Sequence, residues 1–387
     1  MLLVPRRQVG TPLIQVVRNK MADLRLAHLR LLSQRIISSA TATPVVVARS
    51  MLAMQAQDLS AAKWAVGLRA AGITSGEVDA ALSDGTLVRS WPMRGTLHIT
   101  AAEDLPWILG LTSARTIASA RKRHADLGLD GRVFERAGEV AQRHLTGGKA
   151  LTREALLVEF QRAGIETTGQ RGYHILWRLA QDGTICCGPP HGKQQTFVLL
   201  DEWVKHPRRY EREEALGELA RRYFEGHGPA TERDLAWWAK LTLNDVRIGL
   251  AVARGRLAEI TVDGEKYLMA VDAEERLSRV AVAKSVVLLP GFDEYLLGYA
   301  DRRAVLDPAY SQRIVPGGNG VFAPMVVVNG RVAGTWRRGT GKDESSLTVE
   351  PFEPMSRGVA TKLHRAVAEY GRFLGTPLRG EIVVSAE

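Results

Sequence analysis

One order of segments recurs three times along this chain: helical periodicity followed by a pair of short strand-like runs. In the first copy, Leu24, Leu26, Leu29, Leu31 and Leu32 recur at roughly helical spacing. Further helices are predicted over 45–54, 59–70 and 75–82. Strand-like runs at 86–91 and 96–100 follow, joined by a turn through Pro92-Met93-Arg94-Gly95. In the second copy Thr152 is placed to cap a helix over 153–162, and Thr168 a helix over 169–181. Strands at 184–187 and 195–200 then flank a loop, Gly188-Pro-Pro-His-Gly-Lys, whose lysine and histidine suggest a basic wing. The third copy has Thr231 before a helix over 232–240, a helix over 244–253, and strands at 257–262 and 266–269. The spacing between copies is irregular, so one supersecondary unit is reused without forming a solenoid.

Helices closed by a two-stranded hairpin follow the order of a winged helix. From about residue 285 the texture changes. Runs at 286–289, 322–328, 332–336 and 347–349 read as strands, and Asn329-Gly330 is a strong type I′ hairpin signal. A helix over 356–373 and a strand over 381–385 close the chain. The expected fold is therefore α+β and mainly helical: three tandem winged-helix units at 21–104, 105–203 and 204–280, then a β-barrel-like C-terminal domain at 281–387. Residues 1–20 carry Arg6, Arg7, Arg18 and Lys20 without a signal-peptide h-region or cleavage site, and are expected to form a flexible basic arm.

Composition narrows the partners. Lys and Arg outnumber Asp and Glu by 52 to 42, a net charge of +10, which favours a polyanion such as nucleic acid. No apolar run reaches the ~20 residues of a membrane span. The two cysteines, Cys186 and Cys187, are adjacent, a spacing that suits neither a disulfide nor a zinc site. They fit a reducing cytoplasm. Phosphate-loop, HExxH and GxSxG patterns are absent, and the nine histidines are scattered, so no metal and no cofactor is expected.

Four stretches stand out against this background. Met51-Leu-Ala-Met-Gln-Ala-Gln-Asp places Gln55 and Gln57 on either side of one small residue, at the predicted end of a helix. Trp91-Pro-Met-Arg-Gly-Thr-Leu-His contributes Arg94, Thr96 and His98. Leu289-Pro-Gly-Phe-Asp-Glu-Tyr-Leu-Leu and Gly334-Thr-Trp-Arg-Arg contribute Asp293, Trp336, Arg337 and Arg338. Together, over about residues 22–375, the chain resembles the AlkZ-type DNA glycosylases. The resemblance implies three winged-helix units and a β-barrel around a DNA-binding cleft. It also implies hydrolysis of the N-glycosidic bond of bulky N7-alkylguanines, including antibiotic-derived cross-links. Catalysis would fall to the two glutamines of a Gln-x-Gln motif, here Gln55 and Gln57. A sister branch has Asp at the second position, so Gln57 points to the self-resistance branch.

The chemistry supports such a role. An N7-alkylated guanine is cationic and departs readily, so little general acid is needed. A glutamine amide offers an acceptor oxygen and two donor hydrogens, and can orient water without titrating. The competing role for Gln55 and Gln57 is a helix end or helix surface. Arg94, Thr96 and His98, in the first wing, are candidates for contact with phosphate or lesion, against a turn arginine and a half-buried strand histidine. Asp293 is a candidate for stabilising the sugar cation, or simply an N-cap for 294–297. Trp336, Arg337 and Arg338 are candidates for backbone contact, or a core tryptophan beside solvated charges. Arg121-Lys-Arg-His and Arg208-Arg-Tyr read as solvated helix faces, and Trp91, Trp237 and Trp238 as core. No lysine stands out as a Schiff-base nucleophile, so base release without strand cleavage is expected. The expected partner is double-stranded DNA bearing alkylated guanine, bound by a monomer. The alternative is a non-enzymatic winged-helix regulator, which would need a dimerisation element that the sequence does not display.

Overall fold

A computed structural model of the chain describes residues 13–37, 41–192, 194–280, 285–339 and 345–382. The first helix, Leu13–Ser33, starts eight residues before Met21, so residues 13–20 of the expected arm are helical. The rest of that segment, with Arg6 and Arg7, lies outside the described residues, as does Lys193 of the expected basic wing.

Short polar side chains start most of the helices that follow. Asp58 accepts the backbone N–H groups of Ser60 and Ala61 at the head of Leu59–Gly67. Reciprocal capping boxes join Thr74 to Glu77, Thr231 to Asp234 and Thr242 to Asp245. Thr152 caps Arg153–Arg162 as expected. Thr168 does not cap; its hydroxyl donates to Glu166 and the helix begins at Arg171. Among the long helices, Gly131–Leu145 and Arg212–His227 were not expected, and of Leu105–Asp126 only the face at Arg121-Lys-Arg-His was. Arg212–His227 packs so closely on Leu243–Ala253 that a Cβ at Gly249 would stand 2.4 Å from the Leu216 carbonyl oxygen. Arg208 is not on a helix face. It lies in the loop before Arg212–His227 and pairs with Glu103 at 2.8 Å.

The three helix-then-hairpin segments are present, but their strands are not equivalent. The first hairpin (Leu87–Met93 with Thr96–Ala101) and the second (Ile185–Cys187 with Thr196–Leu199) join through an Arg89–Cys187 pairing. With Leu151–Thr152 on one edge and Met54–Gln55 on the other, they make one six-stranded sheet. The third hairpin, Leu257–Val262 with Glu265–Ala270, is a separate two-stranded sheet.

The C-terminal strands form an open five-stranded sheet, a half-barrel, where a β-barrel-like domain was expected. The order is Arg379–Ile382, Ser346–Pro351, Arg331–Arg338, Met325–Val328, Val286–Leu289. Its buried face shares a core with helix Arg357–Leu374 and the first-segment helices. Trp64 joins them: its indole N–H donates to the Leu288 carbonyl at 2.8 Å, and its ring lies 4.9 and 5.1 Å from Tyr370 and Phe373. This shared core brings the segment after Leu289 against the strand that carries Gln55.

Candidate active site

The helix Pro44–Met51 stops short of the glutamines. Leu52 adopts φ 62°, a left-handed conformation costly for a branched side chain, and breaks the helical run. The chain then becomes extended, and Met54–Gln55 pairs antiparallel with Thr96–Ala101, Gln55 opposite His98. Gln55 ends this strand; Ala56 after it is buried, and Gln57 follows, exposed, in a bend of the chain. Ala56 donates its N–H to the Leu97 carbonyl at 2.7 Å, and the Leu97 N–H donates back to Gln57 Oε1 at 2.9 Å. Gln55 thus sits on a strand edge and Gln57 in the turn beyond it, where the end of the preceding helix was expected.

The first hairpin turns at Arg94 and Gly95, with φ of 54° and 73°. Positive φ at both central residues is the mark of a type I′ turn. It folds the Arg94 side chain back along the sheet into four contacts. Nη2 donates to Gln55 Oε1 at 3.2 Å and to His98 Nε2 at 3.1 Å. Nη1 donates to the Trp238 carbonyl at 2.9 Å, and the guanidinium lies 5.4 Å from the Trp237 ring centroid. His98 Nδ1, which carries the proton, donates to the Thr96 carbonyl at 2.8 Å. Burial first, and the Arg94 charge second, push the His98 imidazole down to about 3, so it is a neutral acceptor. The Thr96 hydroxyl is buried without a hydrogen-bond partner.

The residue that completes the cluster is Glu294, which the sequence did not single out. Its carboxylate is 1 % exposed, accepts the Gln55 backbone N–H at 3.0 Å and the Trp238 indole N–H at 2.8 Å, and stands 3.6 Å from His227 Nε2. Burial pushes this carboxyl up, but the His227 ring and the Arg94 guanidinium outweigh it and hold it at about 2. The available clue was its place in Phe292-Asp-Glu-Tyr. What hid it was that its partners are remote in sequence, Gln55 by 239 residues.

Asp293 points elsewhere. Its side chain caps Tyr295 and meets Arg69 through two hydrogen bonds of 2.8 and 2.9 Å, both side chains wholly buried. It is a structural ion pair rather than a group facing a sugar. Trp336 is core as well. It is 6 % exposed, its indole donates to the Leu289 carbonyl at 2.8 Å, and its ring lies 5.3 Å from Tyr370. Arg337 is exposed and lies 3.6 Å from Glu350, and Arg338 interacts with Tyr370. None of these four joins the glutamines. Of the tryptophans expected in the core, Trp91 and Trp238 are buried, but Trp237 is 39 % exposed. Arg302 lies 5.5 Å from its ring centroid and 5.1 Å from that of Phe322. Beside Gln55 there is therefore an aromatic and basic surface, through Arg94 to Trp237 and Arg302. Cys186 and Cys187 are free and buried in their strand. Among the described residues there is no group of three or more His, Cys, Asp or Glu placed to hold a metal ion, and no helix is long and apolar enough to cross a membrane.

Two amides beside the first hairpin, with a neutral histidine, a guanidinium and a buried carboxylate around Gln55, make a polar cluster able to order water without a titrating base. A sequence model of the AlkZ-like DNA glycosylases matches residues 48–373, a span containing every group described above. The chain belongs to this family and is a DNA glycosylase. An interstrand DNA cross-link repair glycosylase from Streptomyces sahachiroi is 29 % identical over 336 residues, covering 83 % of this chain and 88 % of that protein. The solved structure of the Streptomyces sahachiroi DNA glycosylase AlkZ superimposes with a TM-score of 0.78 at 26 % identity, over 94 % of this chain and 99 % of that one.

Proposed function

We propose that the chain hydrolyses the N-glycosidic bond of N7-alkylated guanine in duplex DNA, with bulky adducts and interstrand cross-links as its substrate class. Gln55 and Gln57 organise the hydrolysis, aiming water at the sugar carbon as the cationic base departs. The observation that carries this reading is the placement of both amides against the first hairpin, Gln57 on the Leu97 N–H and Gln55 held by Arg94 and Glu294. The relative's own name, a cross-link repair glycosylase, supports the choice of substrate. The three helix-then-hairpin segments act as tandem winged helices that grip the duplex, and the net charge of +10 supplies attraction to its phosphates. The enzyme works as a monomer in the cytoplasm, releases the base and leaves the strand intact, in repair or in self-resistance to a DNA-alkylating antibiotic.

The test is single-turnover base release from a duplex carrying one N7-methylguanine, followed by alkali to reveal the abasic site. The Gln55→Ala/Gln57→Ala double variant should lose at least about 1000-fold in rate, as when preorganised polar groups are removed from other active sites, and keep most of its DNA affinity. Release that survives in the double variant would refute the assignment.

A further inference from the structure

We infer that Gln55 meets its substrate as a hydrogen-bond donor, and that Arg94 is the positioning residue that imposes this polarity. The inference rests on the glycosylase reading above and refines the part played by one residue. A guanidinium can only donate, so the Gln55 atom lying 3.2 Å from Arg94 Nη2 has to be Oε1. The amide is thereby turned with its NH2 group away from Arg94. That group has no hydrogen-bond partner among the described residues and is not buried. Flipping the amide would set donor against donor.

Arg94 is not free to relieve such a clash. Nη1 is held by the Trp238 carbonyl, and Nη2 also donates to His98 Nε2. His98 can accept there because its proton is on Nδ1, committed to the Thr96 carbonyl. The backbone of Gln55 is pinned in turn by Glu294. Gln57 is different: it is exposed, and its side chain accepts from the Leu97 N–H through Oε1, outside this chain of contacts.

The chemistry assigns the donor a target. In the hydrolysis the bond between C1′ and the base nitrogen breaks and its electron pair passes into the base. A water oxygen bonds to C1′ and its proton goes to solvent. A donor facing the sugar opposes the positive charge forming there, whereas a donor facing the base stabilises the electron density arriving on it. Gln55 therefore serves an acceptor atom of the departing purine, and Gln57 is left to orient the water.

Gln55→Glu separates donor from acceptor. Arg94 retains one carboxylate oxygen, and the outward oxygen can only accept until it is protonated. The charged and titratable groups around this position are Arg94 and His98 from the first hairpin, Glu294 with His227 and Tyr223 behind it, and Arg302 across the Trp237 ring. Base release from the N7-methylguanine duplex is followed between about pH 5 and 9. Gln55→Glu, kept ionised by Arg94, should be about 100-fold slow over most of this range, with recovery confined to its acid end as protonation restores the donor. A variant as fast as the parent at the alkaline end, and slowed by acid, would show that Gln55 works as an acceptor and overturn the inference. Arg94→Met should lose about 100-fold, with Arg94→Lys, which still donates, recovering about tenfold of it. An Arg94→Met rate equal to the parent's removes the positioning role. If the parent itself releases nothing from this duplex, the substrate reading fails, and a crystal structure on an abasic duplex decides the inference. Arg94 on Gln55 Oε1 with the NH2 group facing the abasic gap supports it, and Arg94 swung away overturns it.

Discussion

Two type I′ turns in this molecule share a backbone and little else. At Arg94-Gly95 and at Asn329-Gly330 both central residues have positive φ, 54° and 73° in the first and 50° and 84° in the second. The first carries its side chain into the active site. The second is docked on the opening helix: Asn329 Oδ1 bonds the His28 imidazole at 2.9 Å, and a Cβ on Gly330 would stand 3.0 Å from the Ala27 Cβ. The same local geometry serves in one place to aim a guanidinium and in the other to clamp a sheet onto a helix. Turn chemistry is readable from adjacent residues, but a turn's duty is set by what lies across from it.

The largest effect in this comparison belongs to the clamp. Gly330→Val puts a β-branched residue at left-handed φ against Ala27, and should cost about 2–3 kcal/mol in denaturant unfolding. Base release per folded molecule should stay unchanged; a catalytic loss at full stability would erase the distinction between the turns. Gly95→Ala should be milder for the fold, about 1 kcal/mol, because its Cβ would meet Trp177 at an ordinary 3.6 Å. Its mark should be a slower rate, since the strain falls on Arg94. A variant with lower stability and unaltered rate would make Arg94-Gly95 a second clamp.

Acid sharpens the contrast with the smallest catalytic effect. Glu294, at about 2, stays ionised and His98, at about 3, stays neutral well below neutrality, so the parent's rate should be flat between about pH 6 and 9. Stability behaves differently. Both groups bind protons more readily unfolded, from ordinary values of 4.5 and 6.5. Their contribution is therefore complete above about 6.5 and is lost as pH falls through the two folded values. Melting temperature measured against pH should show this loss, and Glu294→Gln should blunt its lower part. A bell-shaped rate profile in the flat window would put a titrating base back into the reaction.

Much of the fold was legible because it is written locally. Asn329-Gly330 announced its hairpin, and the caps at Thr152 and Thr231 marked helix starts correctly. Helix Leu105–Asp126 was legible only at its exposed Arg121-Lys-Arg-His face, because it is buried against the first hairpin at its start and exposed further on, which leaves no continuous apolar stripe. The joining of two hairpins into one sheet rests on one pairing between residues 98 positions apart, Arg89 and Cys187. Of the candidate residues, Gln55 and Gln57 were singled out by the Gln-x-Gln resemblance, and Arg94 and His98 lie four positions apart in the first hairpin. Glu294, Trp238 and His227 arrive from other segments. Trp336-Arg-Arg has the composition of a nucleic-acid contact, yet strand alternation sends its tryptophan inward.

The strand carrying Gln55 is the last in its sheet, only two residues long, and its outward N–H already belongs to the Glu294 carboxylate. No rung is left on which a foreign β-segment could assemble. The reactive margin thereby stays wet and reachable without becoming adhesive. A protein that must meet damaged DNA along an unprotected rim gains solubility from the same carboxylate that steadies its chemistry.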